Sequence, residues 1–156
     1  MIKDLDTSCG FVTILGAPNV GKSTLLNRVV GTKVSIVSPK VQTTRTRVLG
    51  IALAGGSQII FIDTPGIFLP KRRLDRAMVA AAWGGVGDSD HVILLVDSQR
   101  GLNPDTLAII EKLRDQKGVG IDLVLNKVDL VKKTELLLLT SQLVKYNIFG
   151  EIFMVS

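Results

Sequence analysis

Apolar residues fall into short unbroken runs along the chain: FVTIL (11–15), VILLV (92–96), IDLVL (121–125) and IFMV (152–155). Runs of this length without polar alternation predict strands buried on both faces. The segments between them have helical character. KSTLLNRVV (22–30) stops at Gly31, and the alanine-rich LDRAMVAAAW (74–83) runs into Gly84, Gly85 and Gly87, which are expected to end it. Asn103-Pro104-Asp105 combines a cap residue, a first-turn proline and an acid at the positive helix end, and Leu107, Ile110 and Leu113 follow on one face. Thr134 is expected to cap a leucine-rich helix reaching about Tyr146. Val48–Leu53 and Gln58–Ile62, joined by Ala54-Gly55-Gly56-Ser57, read as an antiparallel hairpin. Helices alternating with apolar strands give an α/β fold, a mostly parallel sheet with helices on both faces. Residues 32–47 are polar, β-branched and basic with no clean period, which predicts a long loop of the functional or mobile kind.

The length of 156 residues suits one domain, and an apolar content of 46% suffices for a core. Aromatics make up 4%, so that core is aliphatic. The formal charge of +5 and a pI near 9.6 favour anionic partners such as nucleotides, RNA or acidic membrane surfaces. One cysteine, Cys9, excludes an internal disulfide and fits a reducing compartment. Residues 1–9, MIKDLDTSC, lack the apolar centre of a signal peptide, and no run has the length of a membrane span; a cytoplasmic location is expected.

Chemistry enters at residues 16–23, GAPNVGKS, a full match to G-x-x-x-x-G-K-[ST] between a strand and a helix. Gly16 and Gly21 let the backbone turn, so that N–H groups along Ala17, Pro18 (which has none), Asn19 and Val20 form a phosphate cradle. The helix that starts there, with Thr24 in its first turn, adds its positive end. Lys22 supplies a point charge for the β- and γ-phosphates, and the Ser23 hydroxyl is a Mg²⁺ ligand.

Asp63 ends a strand and opens DTPG, Asp63-Thr64-Pro65-Gly66. An acid at that place binds Mg²⁺, often through water, and the Gly66 N–H can approach a γ-phosphate. Residues 126–129, NKVD, follow the strand IDLVL directly. Asp129 can accept from N1–H and N2–H₂ of guanine, a donor pair that adenine lacks, so the order of motifs selects GTP over ATP. Asn126 either bonds the base edge or ties this loop to the phosphate loop, and the stem of Lys127 can cover the purine face.

GAPNVGKST, SPKVQTTR (38–45), DTPGI and NKVD, at these separations, resemble the Era family of bacterial GTPases. The final Val155-Ser156 resembles the start of that family's second guanine loop. The resemblance implies a Ras-like P-loop fold of six strands with one antiparallel edge strand. It implies GTP hydrolysis to GDP and phosphate with Mg²⁺, binding of 16S rRNA, assistance in assembly of the 30S subunit, contact with the cytoplasmic face of the inner membrane, and a monomer. Era proteins also carry a C-terminal KH domain that grips RNA, and residues 1–156 correspond to the GTP-binding domain alone. Gly84-Gly85-Val86-Gly87 matches the KH clamp GXXG only superficially, having no basic flanks.

The same resemblance places a Mg²⁺-binding threonine just before Arg45, which is Thr44, with Thr43 as the alternative. It puts Ile67 where many GTPases keep a water-orienting glutamine. Hydrolysis is then expected to be slow, and a GTP/GDP-dependent interaction module with negligible turnover is the competing reading. Asn19 either holds K⁺ beside the phosphates, as related GTPases do, or bonds within its own loop. Arg45, Arg47 and Lys71-Arg72-Arg73 are either RNA contacts or a solvated basic face. His91 is assigned no chemistry, and Trp83 is read as packing.

Overall fold

The computed structural model describes residues 7–32 and 47–156. Along the chain run β1 (Ser8–Leu15), α1 (Lys22–Val30), β2 (Val48–Ala54), β3 (Ser57–Asp63), α2 (Arg73–Gly87), β4 (His91–Asp97), α3 (Pro104–Arg114), β5 (Gly120–Asn126), a 3₁₀ turn (Val128–Leu130), α4 (Lys133–Val144) and β6 (Ile152–Met154). The six strands form one sheet in the order β2-β3-β1-β4-β5-β6. Only the β2–β3 pair is antiparallel, closed by a turn at Gly55-Gly56, so the expected hairpin forms the edge. The expected elements are all present, with ends displaced by a few residues; β1, for example, begins three residues before the apolar run, at Ser8.

Alternation along β1 divides the core. Leu15 faces a cluster built with Ala82 and Val86 of α2, Ile109, Ile110 and Leu113 of α3, and Leu139 and Leu143 of α4. Ile14 faces the other way, onto Leu26 of α1 and Phe61 of β3. Three helices thus cover one face and α1 the other. Val92, Leu94, Val96, Leu123 and Leu125 are buried under the three-helix layer, which is why β4 and β5 show apolar runs.

Two local expectations are corrected. Helix α2 does not stop at its glycines but continues to Gly87. A Cβ on Gly85 would lie 3.3 Å from Thr13 Oγ1, so the bare glycine lets the helix settle onto β1. There the Gly85 carbonyl accepts from Thr13 Oγ1 at 3.0 Å and from Ser89 Oγ at 2.7 Å. Close packing and two hydroxyl donors offset the poor helix propensity of glycine, about 1 kcal/mol per residue. In α4, Thr134 is not the cap; Lys132 takes that place without a side-chain cap bond, and Thr134 sits within the first turn. Asn103 does cap α3, accepting from Thr106 N at 3.0 Å. Trp83 packs against the main core, with the Lys112 ammonium 4.3 Å from its ring centre. Among the described residues, no helix is long and apolar enough to cross a membrane.

Because β1, β3, β4 and β5 are mutually parallel, their C-terminal ends at Leu15, Asp63, Asp97 and Asn126 emerge on one edge of the sheet. The connection from β1 leads to one side of it and that from β3 to the other, the arrangement that opens a ligand crevice at strand ends.

Thr13→Val keeps the shape of the side chain and removes the hydroxyl that reaches α2. It is expected to cost about 1–2 kcal/mol, seen in urea unfolding as a lower midpoint at unchanged m-value.

Candidate functional site

The loop from Gly16 to Gly21 crosses the C-terminal end of β1 and feeds α1. Ala17 and Val20 are buried with Leu95 and Val124, so the loop is anchored from below by apolar contacts. Gly21 has φ 101°, and a Cβ there would lie 2.4 Å from Asn126 Nδ2, so both backbone and space require glycine.

Lys22 is buried, and its ammonium donates to the carbonyls of Gly16 (3.2 Å) and Ala17 (2.9 Å). Burial pushes its pKa down to about 8, with the nearby Asp63 carboxylate opposing that fall. A charged amine held at the mouth of a phosphate cradle suits an anionic ligand, which would replace the carbonyls with full negative charges.

Ser23 and Asp63 meet, with Ser23 Oγ donating to Asp63 Oδ2 at 2.7 Å, and both residues are buried. This hard oxygen pair fits Mg²⁺, which takes few protein ligands and completes its shell with water and phosphate oxygens. The third expected ligand, Thr44, its alternative Thr43, and Arg45 lie outside the described residues.

The DTPG turn leans on the phosphate loop. A Cβ on Gly66 would fall 2.7 Å from Pro18 Cα, and the Ile67 N–H donates to the Gly16 carbonyl at 3.0 Å. Thr64 is fully buried and donates to the Ile14 carbonyl at 2.8 Å, so its hydroxyl serves the turn, and Pro65 beside it is buried. The Ile67 side chain is buried in the main core beside Leu15 and Ala82, turned into the fold.

On the base side, Asn126 Nδ2 donates to the Val20 carbonyl at 2.9 Å, which ties this loop to the phosphate loop and leaves the amide's second N–H for a base edge. Lys127 adopts a left-handed conformation (φ 59°), and its ammonium reaches Asp97 Oδ2 at 2.7 Å and the Asn19 carbonyl at 3.1 Å. That stretches the lysine stem between the two loops, where it can cover a purine face. Asp129 stands exposed in the following 3₁₀ turn. Val155 is tied to Leu125 and Val128 through backbone bonds of 2.9 and 3.3 Å, which carries Ser156 toward the same loop. Asn19 is exposed, also with positive φ (62°), and Thr24 is exposed in the first turn of α1.

The sequence reading missed two residues. Asp97 ends β4 as Asp63 ends β3, so its strand-end position was a usable signal. Arg100 Nη1 donates to the Pro18 carbonyl at 2.9 Å, a contact spanning 82 positions that no local pattern announces.

Residues 11–127 match the family model described as 50S ribosome-binding GTPase. The chain is 55% identical over 153 residues to GTPase Era of Dinoroseobacter shibae, covering 96% of this chain and 49% of that protein. It is also 55% identical over 150 residues to GTPase Era of Rhizobium meliloti, covering 96% and 48%. Among solved structures, Era in complex with MgGDPNP and nucleotides 1506–1542 of 16S ribosomal RNA superposes with TM-score 0.88 at 39% identity, over 96% of this chain and 51% of that one. A variant of Aquifex aeolicus Era bound to GDP·AlF4⁻ gives 0.86 at 39% identity, over 95% and 51%. The chain spans about half the length of the curated relatives it matches. With a phosphate cradle, a serine–aspartate pair and a base-reading loop gathered on one sheet edge, and with three quarters of its length inside the family model, the chain belongs to the 50S ribosome-binding GTPase family.

Proposed function

We propose that this chain binds guanine nucleotides and hydrolyses GTP to GDP and phosphate, serving as the nucleotide-switched part of a protein that acts on 16S rRNA during assembly of the 30S subunit. The observation that carries the nucleotide reading is the physical union of the two loops. Asn126 and Lys127 of the base-reading loop both hold carbonyls of the phosphate loop, so purine edge and phosphate tail are measured from one rigid frame. The RNA reading is supported by likeness to an Era that was solved with 16S rRNA nucleotides, and by the net charge of +5. Contact with the inner membrane from the cytoplasm belongs to the same proposal, as does a K⁺ ion at Asn19; equal GTP turnover in K⁺ and Na⁺ removes the ion.

In this reading Ser23 and Asp63 hold Mg²⁺, which when bound neutralises charge on the β- and γ-phosphates. Lys22 exchanges its two carbonyl acceptors for phosphate oxygens. Gly66, with no Cβ, brings its N–H toward the γ-phosphate. Since the Ile67 side chain is committed to the core, residue 67 orients no water, and hydrolysis rests on backbone groups, the metal and Lys22. That same burial favours, as the second reading, a switch with very slow turnover; single-turnover GTP cleavage separates the two.

The primary test is a titration with GTP, GDP and ATP in Mg²⁺, expected to rank both guanine nucleotides far above ATP. Asp129→Asn is expected to lose about 100-fold or more in GDP affinity and to gain for xanthosine diphosphate. An amide can donate to the xanthine 2-oxo group while still accepting from N1–H.

Lys22→Met separates binding from folding. It is expected to abolish nucleotide binding by calorimetry, yet to stabilise the nucleotide-free protein by about 1–3 kcal/mol, since an apolar chain replaces a buried ammonium. Ile67→Gln tests the water question directly. Burying an amide among Leu15 and Ala82 is expected to cost about 2–3 kcal/mol in urea unfolding, with no rise in the single-turnover rate.

A further inference from the structure

The inward N–H groups of a phosphate loop are usually credited to its glycines, yet here the carbonyls on the opposite side are individually held. The Pro18 carbonyl accepts from Arg100 at 2.9 Å, the Asn19 carbonyl from Lys127 at 3.1 Å, and the Val20 carbonyl from Asn126 at 2.9 Å. Among the described residues every peptide bond is trans. In a trans peptide the N–H points opposite to its C=O. Pinning those three oxygens on the outer side therefore turns the N–H groups of Asn19, Val20 and Gly21 to the inner side, where phosphate oxygens would lie.

Asn126 and Lys127 belong to the base-reading loop; Arg100 does not. It comes from the turn after β4, and Asp97 governs that turn. Asp97 is 3% exposed. Its Oδ1 accepts from Gln99 N at 2.9 Å and Arg100 N at 3.4 Å, and its backbone carbonyl accepts from Arg100 N and Gly101 N. Its Oδ2 takes the Lys127 ammonium at 2.7 Å. One buried carboxylate thus sets up both cationic donors: it shapes the turn that presents Arg100 to Pro18, and it fixes the head of Lys127 beside Asn19. On the opposite flank, the close approach of Gly66 to Pro18 leaves that residue held between the DTPG turn and Arg100.

We infer that Arg100 and Asp97 are positioning residues for polyphosphate binding, acting from outside the cradle by fixing the orientation of its peptide planes. The inference rests on the guanine-nucleotide reading above and deepens it, because neither residue touches the nucleotide in that reading.

The test uses GDP with Mg²⁺. Arg100→Ala is expected to raise the GDP dissociation rate about tenfold, and to move the β-phosphate ³¹P resonance of bound GDP while the α-phosphate resonance stays in place. Arg100→Lys, which can still place a donor near the carbonyl, recovers most of the rate. Asp97→Asn keeps the oxygen acceptor of the turn and removes the charge facing Lys127; it is expected to raise the rate by about as much. Wild-type dissociation rates in Arg100→Ala and Asp97→Asn overturn the inference. So does a general loss of thermal stability with both phosphate resonances displaced alike, the mark of a purely structural role. Should Arg100→Ala not fold, the Asp97→Asn rate decides. If the wild-type protein itself holds no GDP, the parent reading fails and this one falls with it, an outcome visible before any variant is measured.

Discussion

A lysine ammonium that leaves water must find oxygen, and among the described residues Lys22 finds the carbonyls of Gly16 and Ala17, with the Asp63 carboxylate nearby. Dipoles compensate a buried charge incompletely, and the depressed pKa records the shortfall. The protein accepts this cost at one point, and the surrounding architecture follows from keeping that point fixed. The strand beneath ends at Leu15, the loop is glued down by Ala17 and Val20, and α1 starts at the lysine itself. A polyphosphate entering the loop meets a cation that is poorly solvated and already in place, so little free energy is lost on reorganisation.

The parallel sheet makes such a site affordable in sequence terms. Four parallel strands deliver Gly16, Asp63, Asp97 and Asn126 to one edge without any of these residues being neighbours in the chain. Each element then needs only a short loop to reach the shared centre. The cross-links between those loops join Asn126 to Val20, Lys127 to Asp97 and Asn19, Arg100 to Pro18, and Ile67 to Gly16. They make the four loops one unit, so a ligand that orders any of them biases the others.

How much of this was readable in advance follows from the range of each interaction. The sheet class came from unbroken runs such as VILLV, because burial on both faces leaves a local mark. The phosphate loop, DTPG and NKVD were legible because each concentrates its chemistry in four to eight consecutive residues. The course of α2 through Gly84 and Gly85 was not, since the reason lies in Thr13, more than seventy positions away. Thr134 misled because a good capping residue was one of several polar residues near the helix start, and local preference alone does not fix which one opens the turn. Arg100 left no trace, because an arginine in a turn is ordinary until the fold brings a carbonyl to it.

Ile67 shows why the place of a residue in a motif and the direction of its side chain have to be considered separately. Its position after DTPG suggests a role at the γ-phosphate, where an apolar side chain would be useless. The backbone answers differently: the Ile67 N–H is spent on the Gly16 carbonyl, while its side chain joins the cluster of Leu15, Ala82 and Val86. Residue 67 is therefore a tether that joins the DTPG turn to both the phosphate loop and the core. A polar side chain at this position would either be buried at a cost or pull the turn off its seat. The turn can sit this close to the cradle because the residue beside Gly66 is apolar, and that closeness places the Gly66 backbone where a γ-phosphate could meet it.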